Sequence, residues 1–105
     1  MKILFVCTCN LNRSPSFERY FKKKLPQYEV KSCGTDYGYP EHLSESLLDW
    51  ADVVYVMDLS HELYIVEHFS KYKKKVQVIG ISDQYDPDAE NLIELIKYWV
   101  KKEGF

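Results

Sequence analysis

Ile3-Leu4-Phe5-Val6-Cys7-Thr8-Cys9-Asn10-Leu11-Asn12-Arg13-Ser14-Pro15 is the stretch whose reading decides the architecture. Its first four residues form an unbroken apolar run, the pattern of a strand buried on both faces. Ser14-Pro15 supplies a cap residue and a proline suited to the start of a helix. That helix is expected to run to about Lys24 and to stop before Pro26. Between strand and helix lies the loop Cys7–Ser14.

The same alternation continues outward. Tyr28–Ser32 reads as a second strand, Cys33–Pro40 as a loop containing Gly34, Gly38 and Pro40, and Leu43–Ala51 as a short helix. Val53–Met57 is a third buried strand. Ser60–Tyr72, with Leu63, Ile65, Val66 and Phe69, reads as a helix, and Val76–Ile79 as a fourth strand. An acid-rich loop, Gly80–Asp88, leads to a last helix whose apolar stripe is Leu92, Ile93, Leu95, Ile96 and Trp99. Asp88 is placed to cap that helix. Strands alternating with helices imply a parallel sheet with right-handed crossovers. The expected fold is therefore α/β, a three-layer flavodoxin-like domain with a four-stranded parallel sheet and a phosphate loop after strand 1. In that order the loop occupies the topological switch point, where ligands bind.

The bulk properties agree with a single domain over residues 1–105. The chain has 105 residues, 46% of them hydrophobic, and a net charge of −2. This balance gives no global pull toward nucleic acid or a membrane surface. The lysines at 22–24 and 71–75 fall at expected helix ends, where cations are favoured. No apolar run approaches the roughly 20 residues of a membrane helix, and the apolar start is too short for a signal peptide. The cysteines are Cys7, Cys9 and Cys33, an odd count that speaks against a disulfide scaffold. The expectation is a monomeric cytoplasmic protein.

The loop has a chemistry of its own. A loop of this length between a buried strand and a helix can curl so that successive backbone N–H groups form an anion nest, reinforced by the helix dipole. Arg13 can hold two phosphate oxygens with its planar fork. A thiol on the floor of such a nest is favoured as thiolate, and a thiolate facing phosphorus is a placed nucleophile. Cys7 and Cys9 with Cys33 and a histidine could suggest zinc, but a structural zinc site needs two closely spaced ligand pairs, and only one is present.

On these residues the chain resembles the low-molecular-weight protein tyrosine phosphatases, whose signature is a cysteine, five residues, then Arg-Ser-Pro after the first strand. Cys7, Arg13, Ser14 and Pro15 match it. Asn10 falls on the loop asparagine that holds the family's loop in shape, and Glu18 on the acid of the next helix. Val30-Lys31-Ser32-Cys33-Gly34-Thr35 is similar to the family's Ser-Ala-Gly-Thr segment, and Ala51-Asp52-Val53-Val54-Tyr55-Val56-Met57-Asp58 to its Asp-aliphatic-Met-Asp strand. The chain departs in carrying Cys9 for the usual glycine and Asn12 for the usual second cysteine. It is also shorter than typical members, with the stretch between Thr35 and Leu43 compressed.

The resemblance implies a phosphomonoesterase working through a cysteinyl-phosphate intermediate, without metal or cofactor. Its implied substrate is a phosphorylated protein or small aryl phosphate, phosphotyrosine foremost, with inorganic phosphate as product. Cys7 is the expected nucleophile and Arg13 the clamp. The general acid is expected at Asp83, in Ile81-Ser82-Asp83-Gln84-Tyr85, with Asp86 of Asp86-Pro87 the alternative. Thr8, Cys9, Asn10, Leu11, Asn12 and Ser14 are expected to line the substrate, with Tyr37 and Tyr85 as an aromatic wall and Tyr39 the weaker candidate. His42, His61 and His68 read as surface or helix residues, Trp50 and Trp99 as core. Two other functions share this loop: an arsenate reductase, which needs further thiols to relay oxidation, and a phosphate-binding module without catalysis.

Overall fold

The computed structural model describes residues Met1–Phe105. Four strands, β1 Lys2–Cys7, β2 Glu29–Gly34, β3 Val53–Val56 and β4 Val76–Val78, form one sheet in the order β2-β1-β3-β4, parallel throughout. β1 is central because its Ile3–Cys7 run is buried on both faces. Helices α1 Arg13–Lys24 and α4 Glu90–Glu103 cover one face; α2 Glu45–Trp50 and α3 Leu59–His68 cover the other. The three-layer expectation holds.

Alternation along β1 assigns side chains to the two layers. Ile3, Phe5 and Cys7 point toward α1 and α4, where Phe17, Phe21, Leu92, Ile96 and Trp99 close an aromatic-rich core. Leu4 and Val6 point toward α2 and α3, meeting Leu48 and Ile65, and Cys33 lies on that side too. Trp99 is core as expected. Trp50 lies at the edge of the other core, half-buried and packed against it, with the Lys31 ammonium 4.5 Å from its ring centre in a cation–π contact.

Some boundaries differ from the sequence reading. The helix expected over residues 60–72 ends at His68, and Ser70–Lys75 continues as a 3-10 helix. The tighter turn lets the Tyr72 hydroxyl donate to Asp49 Oδ1 at 2.7 Å. It also lets the Lys75 ammonium donate to the Leu48 and Ala51 carbonyls at 2.8 and 2.7 Å. These carbonyls lie at the C-terminal end of α2, where the dipole welcomes a cation. Ser14 does not cap α1, whose N-cap is Asn12, with no side-chain cap bond. Nor does Asp88 cap α4, whose N-cap is Ala89. Asp88 adopts a left-handed φ of 54° and bonds back to α1 instead. No helix is long and apolar enough to cross a membrane.

Candidate active site

The loop leaving β1 is held from three sides. The end of β2 grips its base: Thr35 N–H donates to the Cys7 carbonyl at 3.0 Å, and Asp36 N–H to the Thr8 carbonyl at 2.9 Å. Contact there is so close that a Cβ on Gly34 would run into the Thr8 carbonyl and sit 2.9 Å from the Asn10 nitrogen. Only glycine permits that approach. From beneath, Asn10 Nδ2 donates to Ser14 Oγ at 2.9 Å, and Ser14 Oγ lies 3.0 Å from Cys7 Sγ and 3.3 Å from the Cys33 carbonyl. Asn10 reaches this position by adopting a left-handed φ of 57°, which asparagine tolerates. Ser14 has one hydroxyl proton. Asn10 donates to its oxygen, and the one proton lies between the Cys33 carbonyl, which can only accept it, and Cys7 Sγ.

The third support comes from the end of β3. Asp58 Oδ2 accepts from Arg13 Nη1 at 3.0 Å, and the Ile81 carbonyl accepts from the same nitrogen at 2.7 Å. Both Nη1 protons are therefore used. The Nε and Nη2 edge of the buried guanidinium remains unengaged, the edge suited to binding two oxygens. Burial pushes the Asp58 carboxyl up, but hydrogen bonds from Ser60 and Arg13, with the nearby positive charge, outweigh it and leave the pKa below 3.8. The carboxylate that anchors Arg13 thus stays ionised.

Cys7, Thr8, Cys9, Leu11, Asn12, Arg13 and Asp83 line one cleft of about 210 Å³. Asp83 arrives from the β4–α4 loop, which is pinned at both ends. Ile81 is buried, its N–H donating to the Met57 carbonyl at 2.7 Å. At the other end Asp88 N–H donates to Ser16 Oγ at 2.9 Å, and its carboxylate pairs with Arg19 at 2.6 Å. Between these anchors Asp83 faces the cleft, whereas Asp86 is exposed outside it, its carbonyl closing a turn with Ala89 N–H.

Three expectations about the wall change. Asn10 and Ser14 do not line the cleft; they lie behind the loop and support it. Tyr37 is 58% exposed and does not line the cleft; its ring centre lies 4.7 Å from that of His42, tilted by 47°. Tyr85 packs against the α1/α4 core. Tyr39 does not line the cleft either, but it interacts with Cys9 of the cleft wall, and that interaction raises its pKa. Cys33 is buried on the sheet face opposite Cys7, and burial pushes its thiol pKa up.

One residue of the site escaped the sequence reading. His61 is on a helix, as read, but it is 1% exposed and turned inward. Its Nδ1 accepts the Asp58 backbone N–H at 3.2 Å, and its Nε2 lies 2.9 Å from Thr8 Oγ1. Asp58-x-x-His61 is a variant of the capping box, with histidine where glutamate or glutamine is usual. An Asp-x-x-His spacing at the start of a helix was the available signal.

No family model matches the chain. A low molecular weight protein-tyrosine-phosphatase, PtpB of Staphylococcus aureus, is 33% identical over 90 residues, covering 66% of this chain. The chain spans 65% of the length of that relative. Among solved structures, the YwlE arginine phosphatase of Geobacillus stearothermophilus superposes with a TM-score of 0.75 at 28% identity, covering 97% of this chain and 92% of its own. A YwlE arginine phosphatase whose active-site cysteine is mutated to serine, and that serine phosphorylated, gives 0.77 at 25% identity over 97% of this chain and 95% of its own. The tyrosine phosphatase Wzb of Escherichia coli K30, in complex with phosphate, shares the fold with a TM-score of 0.82 at 22% identity, covering 97% and 94%.

Proposed function

We propose that the chain is a low-molecular-weight protein tyrosine phosphatase, as its likeness to PtpB and to YwlE supports, and that it is a phosphomonoesterase acting through a cysteinyl-phosphate on phosphotyrosine in proteins. The observation that carries this reading is the convergence of Cys7, the free edge of Arg13 and Asp83 on one small cleft. A volume of about 210 Å³ takes a phosphoryl group together with part of the group that carries it.

In the first step the Cys7 thiolate attacks phosphorus, the phosphorus–oxygen ester bond breaks, and the leaving oxygen takes the Asp83 carboxyl proton. Loop N–H groups, the N-terminus of α1 and Arg13 hold the equatorial oxygens. In the second step the Asp83 carboxylate takes a proton from water. The water oxygen attacks phosphorus, and the sulfur–phosphorus bond breaks to release inorganic phosphate. The phosphorylated serine in the YwlE mutant supports covalent transfer to this loop position. The step needs no metal.

The relatives' names also raise phosphoarginine as a substrate. The mouth here favours an aryl group. Leu11 is 55% exposed on the cleft wall, an apolar edge against which a ring can lie. Asp83 is the one carboxylate in the lining, so nothing else pairs with a guanidinium. Arsenate reduction is not favoured, because Cys33 lies across the sheet from Cys7.

The test is hydrolysis of para-nitrophenyl phosphate in the presence of chelator. Cys7→Ser should abolish turnover, and Arg13→Lys should cripple it, because a point charge cannot replace a bidentate fork. Full activity in Cys7→Ser would sink the mechanism. Faster hydrolysis of phosphoarginine than of phosphotyrosine would reassign the substrate.

A further inference from the structure

The start of α3 reaches the phosphate loop at two points. Asp58, its N-cap, holds Arg13. His61, three residues on, holds Thr8, the residue next to Cys7. The imidazole has one consistent hydrogen-bonding state. Nδ1 accepts the Asp58 backbone N–H, so it carries no proton, and the proton sits on Nε2, which donates to Thr8 Oγ1. Burial, lowering the His61 pKa from 6.5, favours this neutral form.

We propose that His61 is a positioning residue for the reaction. Through Nε2–H it fixes Thr8 Oγ1 and so holds the loop in its anion-binding curl beside the nucleophile. The inference rests on the phosphatase reading for its kinetic consequence, but not for its effect on phosphate binding. The physical reason is preorganisation. Thr8 is exposed at the mouth of the cleft, and its backbone follows Cys7 directly. A loop that must find its curl on each binding event loses affinity for the anion as well as rate. Ser14 and Asn10 hold the loop from below and β2 from one side. His61 is the side-chain contact that holds Thr8.

A clean variant exists because glutamine is a usual residue at this capping-box position. His61→Gln keeps an acceptor for the Asp58 N–H, and with it α3 and the Arg13 anchor, but cannot reach Thr8 as well. Thr8→Val removes the other partner, and Thr8→Ser keeps the hydroxyl. The measurements are inorganic phosphate affinity by titration calorimetry, kcat/KM for para-nitrophenyl phosphate, and the thermal unfolding midpoint.

His61→Gln and Thr8→Val should each weaken phosphate binding and kcat/KM about tenfold, as expected for contacting pairs, and the double variant should be no worse than either. Thr8→Ser should recover most of the loss, and the His61→Gln midpoint should stay near that of the wild type. Wild-type phosphate affinity in His61→Gln, or single effects that multiply in the double variant, would overturn the proposal. A wild-type protein that binds phosphate without turnover would remove the phosphatase reading, while the affinity series would still decide the role of His61.

Discussion

At the scale of the residue, Asp83 and Asp86 offer the sharpest contrast. They stand three positions apart in one loop, yet only Asp83 lines the cleft. Asp83→Asn should lower kcat for phenyl phosphate about a hundredfold or more, within the usual range for a general acid. It should lower kcat much less for para-nitrophenyl phosphate, whose leaving oxygen needs little protonation. Asp86→Asn should leave both near wild type; a reversed pattern assigns the acid to Asp86. His61 permits a separate prediction on stability. Its folded pKa lies below the ordinary 6.5, through burial first, with Arg13 acting in the same sense and Asp58 and Asp83 opposing. The unfolded chain therefore binds the proton more readily, and this contribution is full above pH 6.5 and is lost as pH falls toward the folded value. The unfolding midpoint should drop between pH 7 and pH 5, and His61→Gln should flatten that drop; Asp58 acts only in the more acidic window below 3.8. An equal drop in both proteins would show that His61 does not titrate on unfolding. None of this was legible locally, because Thr8 lies 53 residues from His61 in sequence. Cys7 and Arg13, by contrast, are fixed within one loop, and their spacing alone brings them together.

At the scale of the element, the periodicities were enough to place the four strands and the four α-helices, though not the 3-10 turn at Ser70–Lys75, because a buried parallel strand and an amphipathic helix leave different apolar patterns. Their ends were not, since ends depend on distant partners. α3 stops where Tyr72 and Lys75 turn back to α2, and Ser14 and Asp88 are drawn away from capping by Cys7 and Ser16. The junction of β2 with the loop makes a prediction at this scale. Gly34 pairs with Cys7 in the register of β1 and β2, and its missing side chain is the space occupied by the Thr8 carbonyl. Backbone atoms cannot step aside as a flexible side chain can. Gly34→Ala should therefore push the loop off β2. The expected result is at least a tenfold loss in phosphate affinity, on the scale of misplacing a catalytic loop by an ångström, with circular dichroism of the folded protein retained. Unchanged affinity would mean that the loop tolerates the shift.

At the scale of the whole molecule, the sheet is a partition. Alternation along β1 puts Cys7 with the α1/α4 layer, and the register Val6↔Cys33 puts Cys33 with the α2/α3 layer. The sequence places both cysteines near the C-terminal ends of neighbouring strands, from which Cys33 is expected to approach the pocket from the side. The pleat decides otherwise, because adjacent register positions face opposite ways. A disulfide needs Cβ atoms about 3.5–4.5 Å apart and directed at each other, which side chains on opposite faces of a sheet do not provide. Burial also holds the Cys33 thiol in its protonated, unreactive form. Peroxide should therefore oxidise Cys7 to the sulfenic acid in the open cleft, and inorganic phosphate should slow that reaction by filling the nest. Cys33→Ser should change neither the rate of inactivation nor the fraction recovered with dithiothreitol. Cys9, on the cleft wall, is the one thiol placed to intervene, though its two-residue spacing from Cys7 would close a strained ring that reductant opens readily. Mass-spectrometric mapping after peroxide distinguishes the cases. A Cys7–Cys9 bridge agrees with the partition, and a Cys7–Cys33 bridge would require the sheet edge to open and would refute it.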